Sequence, residues 1–228
     1  MITLRPAADR GHANFGWLDS HHTFSFGSYH DPAHMGVSAL RVINDDRVTP
    51  GAGFGAHPHR DMEIISYVLE GSIEHKDSMG SHARLNAGQI QVMSAGTGIV
   101  HSEYNPDDST GLHFLQIWIQ PDRRGVEPRY AQQDVPPGEG ATLLVSPDGR
   151  DGSLSIHQNA FIHLLRPAAS GLTRTLHTDR TYYVHAVHGT LTVNGVSMSA
   201  GDGMTLAAET ALTVSAQAGA EALLFDLP

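Results

Sequence analysis

An all-β chain made of two successive β-barrels is predicted by three features of the sequence. Apolar and polar residues alternate in short runs, without the 3.6-residue period of long helices. Turn residues punctuate those runs, as at Glu70-Gly71, Asn86-Ala87-Gly88 and Ser94-Ala95-Gly96-Thr97-Gly98. The third feature is an internal echo in fixed order. His57-Pro58-His59-Arg60 is answered by His177-Thr178-Asp179-Arg180, and Tyr67-Val68-Leu69-Glu70-Gly71-Ser72-Ile73 by His185-Ala186-Val187-His188-Gly189-Thr190-Leu191. Asn86-Ala87-Gly88-Gln89 is likewise answered by Ser199-Ala200-Gly201-Asp202, which points to a duplicated unit.

Taken in order, Val37–Ile43 and Met62–Leu69 are β-branched, apolar runs that read as strands. Ser72–Asp77 follows the Gly71 turn, and Ala83–Leu85 and Gln89–Met93 read as strands on either side of the Asn86-Ala87-Gly88 turn. Leu112–Ile119 alternates so that Phe114, Gln116 and Trp118 share one face, with the polar Gln116 suited to a pocket wall. From Gln120 to Ala141 the chain carries four prolines and three glycines, and is expected to be a linker or long surface connection. The expected domains are therefore residues 1–130 and 131–228. Strands resume at Thr142–Val145, Phe161–Leu165, Leu172–Leu176, Tyr182–Val187, Thr190–Val193, Met204–Leu206, Leu212–Val214 and Ala222–Phe225.

Composition removes several function classes. With 228 residues and 40% hydrophobic content the chain can bury one large or two small cores. It has no cysteine, which excludes disulfides, zinc–thiolate clusters, iron–sulfur centres and a cysteine nucleophile. A net charge of −10 opposes direct nucleic-acid binding. No apolar span is long enough to cross a membrane, and Met1 to Arg10 lacks the apolar core of a secretion signal, so a cytoplasmic protein is expected.

The 16 histidines outnumber the 14 lysines and arginines together. His57 and His59 form the one His-x-His pair, and residues i and i+2 of a strand point to the same face. His101-Ser102-Glu103 repeats that spacing 44 residues later, enough chain for intervening strands to bring the two pairs together. Three imidazoles and a carboxylate suit one divalent transition ion and leave positions open for water, substrate or dioxygen. The second copy has Asp179 where the first has His59 and contains no His-x-Glu, so one metal per chain is expected, in the first barrel. Zn, Mn, Co, Ni or Cu would all be accepted, with Fe(II) preferred for mixed N/O ligation.

Gly51, His57-x-His59 and Glu63, followed by Gly98-x-x-His101-x-x-x-Asn105, resemble the two cupin motifs, although Gly71 falls one residue later than usual. More narrowly, the chain resembles the pirin family. The resemblance lies in His57-Pro58-His59-Arg60-Asp61-Met62-Glu63, Leu69-Glu70-Gly71, Glu74-His75-Lys76-Asp77-Ser78-Met79-Gly80, Ser94 to Asn105 and His22-Thr23-Phe24-Ser25-Phe26. It covers most of residues 17–120. It implies a bicupin with one metal in the N-terminal barrel, held by His57, His59, His101 and Glu103. Generic cupins take their carboxylate from the position of Glu63, which is kept as a residue orienting a ligand histidine. The resemblance further implies quercetin 2,3-dioxygenase activity on a flavonol and dioxygen, with Glu103 as general base. The second reading is a metal-binding regulatory or protein-interaction module, as for eukaryotic pirins. A monomer is expected for a duplicated barrel.

Other residues receive plainer readings. Phe24, Phe26, Phe54, Phe114 and Trp118 are read as barrel core, and His185 and His188 as structural. His21-His22 are either pocket-mouth or exposed turn residues, and Asp107-Asp108-Ser109 is a solvated loop.

Overall fold

The computed structural model describes residues 1–228. Its strands run from β1 (Ile2–Arg5), β2 (Gly11–Asn14), β3 (Leu18–His22) and β4 (Leu40–Val48) to β5 (Gly53–His59) and β6 (Glu63–Glu70). There follow β7 (Ser72–Asp77), β8 (His82–Asn86), β9 (Gln89–Ser94), β10 (Ile99–Tyr104), β11 (Leu112–Ile119) and β12 (Arg129–Asp134). The second half carries β13 (Gly140–Ser146), β14 (Leu154–Ser155), β15 (Phe161–Arg166), β16 (Leu172–Thr175), β17 (Thr181–His188) and β18 (Thr190–Val193). It ends with β19 (Val196–Ser199), β20 (Gly203–Ala207), β21 (Ala211–Ala216) and β22 (Glu221–Leu227). Ala7–Asp9 and Arg150–Gly152 form single 3-10 turns, and no helix is long and apolar enough to cross a membrane.

Each half is a seven-stranded sheet packed on a four-stranded one. The N-terminal sheets run β12-β9-β6-β11-β4-β3-β2 and β5-β10-β7-β8, and the C-terminal sheets β1-β20-β17-β22-β15-β13-β14 and β16-β21-β18-β19. The period-2 alternation of the strands decides what each face buries. On β6, Ile64 and Val68 turn into the N-terminal half, whereas Ile65 and Tyr67 join a core shared with the other half. That shared core holds 23 buried residues, including Ile43, Leu115, Ile162, Leu164 and Phe225, and is larger than either interior core. The two seven-stranded sheets therefore form the central layers, and the four-stranded sheets lie outside them.

Three sequence expectations meet departures. The segment read as a linker contains β12, whose six residues pair with β9 from Arg129↔Ser94 to Asp134↔Gln89. Its apolar content is low because it forms the edge of its sheet and is only half-buried. β1 belongs to the C-terminal sheet through Ile2↔Leu206 to Arg5↔Gly203, so the first strand lies across the expected division at residue 130. The run expected from Val37 begins its ladder only at Leu40, Val37 making an isolated bridge.

Candidate metal centre

The centre is built on the outer four-stranded sheet. β10 lies between β5 and β7, with His101 opposite both His57 and Asp77, and Glu103 opposite both Phe54 and His75. β5 occupies an edge, which is where a strand tolerates Pro58. The β5–β10 register slips between His101 and Glu103, placing an extra residue on β5 within Gly55-Ala56. The carbonyl of Gly55, freed by this bulge, accepts the Nδ1–H of His57 at 2.7 Å and leaves Nε2 as the lone-pair donor. Gly53 permits the contact of the strands, because a Cβ there would stand 2.4 Å from the carbonyl oxygen of Glu103.

Ligand atoms of His57, His59 and His101 lie within 4.8 Å of one another, and those of His101, Glu103 and His75 meet the same limit. His101 is 2% exposed and neither ring nitrogen has a hydrogen-bond partner. Such orphaned atoms cost about 1–3 kcal/mol each, and a metal bond satisfies one of them. Burial lowers the pKa of His59 to about 4 and that of His101 to about 3, reinforced by the neighbouring imidazoles. Both are neutral at neutral pH, the state a metal ligand needs. The residues present thus fit a divalent transition ion.

Glu103 is a buried carboxylate anchored by three side-chain donors. Ser66 Oγ and Gln91 Nε2 donate to its Oε1 at 3.0 and 2.6 Å, and Gln116 Nε2 to its Oε2 at 3.3 Å. These donors sit in one cross-strand row, since Gln116 pairs with Ser66 and Ser66 with Gln91. From the next strand, Tyr130, opposite Met93, donates its hydroxyl to Gln91 Oε1 at 2.9 Å.

Glu63 stands elsewhere. It starts β6 on the outward parity, accepts Ser94 Oγ at 2.6 Å and lies beside Arg129, which bridges to Ser155 of the second half. It makes no hydrogen bond to any of the three histidine side chains, so the orienting role expected of it is not seen. Residues Arg60 to Met62 interrupt the strand and reset the face, and Asp61 there has φ 48°. Burial, only partly offset by Ser94 and Arg129, raises the Glu63 pKa.

His75 was not singled out by its sequence. It is fully buried, stacks on Tyr130 with ring centroids 4.4 Å apart, and faces Asp77 at 3.0 Å through Nε2. Burial alone would raise the Asp77 pKa, but hydrogen bonds from His75, Ser81 and Met79 hold it below its ordinary value. The signal was present, because His75-x-Asp77 has the same i, i+2 spacing as the other two pairs.

The remaining candidates separate. Phe24 packs against Tyr183 in the shared core and Phe114 lies inside the first half. Phe26 and Phe54, with Phe15, Trp17 and Gln116, instead line a cavity of about 310 Å³ that is linked to Glu103 through Gln116. Trp118 is set edge-on to both Phe26 and His59. His22 lines that cavity, whereas His21 stacks on His12 near Asp19. Asp107 is not free in solvent, since Ser72 and Arg84 both donate to it. In the second half, Met198, Met204, Leu206 and Leu212 fill the equivalent interior, and no group of potential ligands occurs there. His177 to Arg180 fall in the turn before β17.

Two packed cupin sandwiches, with an imidazole–carboxylate cluster in the first alone, define a bicupin with one candidate metal centre. The chain belongs to the pirin family. The Pirin family model matches residues 4–119, and a model described as the quercetinase C-terminal cupin domain matches residues 143–227. Quercetin 2,3-dioxygenase of Escherichia coli is 52% identical, covering 100% of this chain and 99% of that protein. A pirin-like protein of Caulobacter vibrioides is 41% identical over 99% of both chains. The crystal structure of the bacterial pirin YhhW from Escherichia coli in complex with nickel(II) matches with a TM-score of 0.97 and 50% identity, covering 100% of this chain and 99% of the other.

Proposed function

We propose that this protein is a metal-dependent quercetin 2,3-dioxygenase, cleaving a flavonol with dioxygen to a depside and carbon monoxide. The observation that carries this reading is the buried Glu103, fixed by three donors beside three clustered imidazoles and linked through Gln116 to an aromatic-lined cavity. His57, His59, His101 and Glu103 would hold one ion, Fe(II) being the first choice, with Ni, Zn, Mn, Co and Cu compatible. When bound, the ion supplies Lewis acidity that favours ionisation of a coordinated hydroxyl, and open positions for exchangeable ligands.

The chain's own residues then do the rest. Glu103 accepts the proton of the flavonol 3-hydroxyl as general base. Ser66, Gln91 and Gln116 hold its carboxylate in one orientation, so no side-chain freedom is lost at that moment. Phe26, backed edge-on by Trp118, and Phe54 present ring faces and edges to a planar substrate and exclude water from the reacting carbons. The names of the Escherichia coli and other curated relatives support the same reaction. Aerobic incubation of the metal-loaded protein with quercetin tests it. Loss of flavonol absorbance with stoichiometric carbon monoxide is expected, and no turnover with any of the six ions would reject it.

A further inference from the structure

We infer that His22, Asn44 and Asp46 form a hydrogen-bonding subsite that recognises hydroxyl groups on the aromatic rings of the substrate. The inference rests on the flavonol reading above and assigns residues which that reading leaves idle. The row of polar side chains that anchors Glu103 does not stop at Gln116. Gln116 pairs with Asn44 on β4, and Asn44 with His22 on β3. At the Glu103 end every donor has found its acceptor. At the other end, Asn44 Oδ1 and His22 Nδ1 are buried without partners, in residues only 2% and 5% exposed. Both residues line the cavity of about 310 Å³, at the lower end of the range for small-molecule sites.

Asp46 lies two residues along β4 on the same face and also lines the cavity. It is 2% exposed, and its single hydrogen bond comes from Ser20 at 2.5 Å, so its second oxygen has no partner. Burial, with the charges of Asp45 and Glu103, pushes its pKa up to about 7. A protein that leaves three adjoining polar groups unmatched in an apolar pocket loses stability, and a ligand offering the complementary groups restores it.

The chemistry of those groups selects the ligand. Asn44 Oδ1 accepts only, His22 Nδ1 donates or accepts by tautomer, and Asp46 does either by protonation state. A hydroxyl, which both donates and accepts, satisfies any of them. A carboxylate or phosphate does not, because no lysine or arginine lines the cavity and Asp46 would repel it. Flat aromatic walls and hydroxyl-matched polar groups together describe a neutral polyphenol ring.

The test compares quercetin with 3-hydroxyflavone, which keeps the 3-hydroxyl and the carbonyl but has no hydroxyls on its two benzene rings. Both are titrated under dinitrogen into the metal-loaded protein and into Asn44→Leu and Asp46→Ala, all matched for metal content and melting temperature. Asp46→Ala removes both carboxylate oxygens without adding volume, so it remains informative should Asn44→Leu fold poorly. The wild-type protein is expected to bind quercetin at least about tenfold more tightly, as one satisfied buried group requires. In both variants the preference should fall below about threefold, with affinity for 3-hydroxyflavone held within about twofold. No preference in the wild type, or a preference that survives both substitutions, overturns this subsite and leaves the dioxygenase reading standing. Failure of both flavonols to bind the loaded wild-type protein overturns both readings.

Discussion

Two glutamates that look interchangeable in the sequence have been given opposite surroundings. Glu103 faces imidazoles and three donors, and Glu63 faces Ser94 and the second half of the chain. Glu103→Gln keeps an oxygen acceptor but loses the charge and the basic site. At equal metal loading, flavonol turnover should fall by roughly 10²–10⁴-fold, the usual range for a general base. Glu63→Gln should leave metal affinity and turnover within about threefold of the wild type, well short of the 10–100-fold typical of a residue holding a ligand. Equal losses in the two variants, measured by steady-state kinetics with metal content checked, would remove Glu103 from its assigned role. The same contrast shows why the sequence left the carboxylate undecided. Glu63 is an even number of residues from His57, and only the break at Arg60 to Met62, which no residue pattern announces, turns it away.

Among the elements, the bulged edge strand β5 sets the centre's geometry. Gly53 lets it press on β10, and the slip at Gly55-Ala56 turns His57 toward His101. Gly53→Ala would drive a methyl group to within 2.4 Å of backbone oxygen, so β5 must shift. Metal affinity is expected to drop by about tenfold or more while the melting temperature of the metal-free protein changes little, read by isothermal titration and calorimetry. His177→Ala, in the corresponding turn of the second half, should leave metal content at one ion per chain. Two tightly held ions in the wild type would contradict that. Most interior strands were legible because both faces are apolar, as in β6, β11, β17 and β22. β5 and β12 were not, since edge strands carry glycine, proline and polar residues. The ligand pairs were legible nonetheless, because i, i+2 spacing survives inside an irregular strand.

At the scale of the whole molecule, the shared core makes the halves dependent on each other. Residues 131–228 alone would expose Ile162, Leu164, Leu223 and Phe225 and lack the β1 strand, and should be insoluble or molten by near-ultraviolet circular dichroism. A soluble, cooperatively melting fragment would show that the shared core is dispensable. Acid sensitivity is expected too. Besides His59 and His101, burial holds His163 and His185 at about 4. Unfolding lets each return to about 6.5, so the unfolded chain binds more protons and stability falls as pH drops from about 6.5 toward 4. Asp46 and Glu63, raised by burial, act in the opposite direction but are outnumbered. The metal-free protein should lose about 1 kcal/mol per pH unit for each uncompensated histidine, measured by urea titration at pH 7 and 5. A flat profile would mean those imidazoles are open to water. The pairing of β1 with β20 also has a consequence for synthesis. At ribosomal speeds of about 5–20 residues per second, β1 waits roughly 10–40 s before Gly203–Ala207 exists to receive it. The N-terminal sandwich can assemble during that interval with β1 unpaired, so a strand made about 200 residues before its partner becomes among the last to find its place.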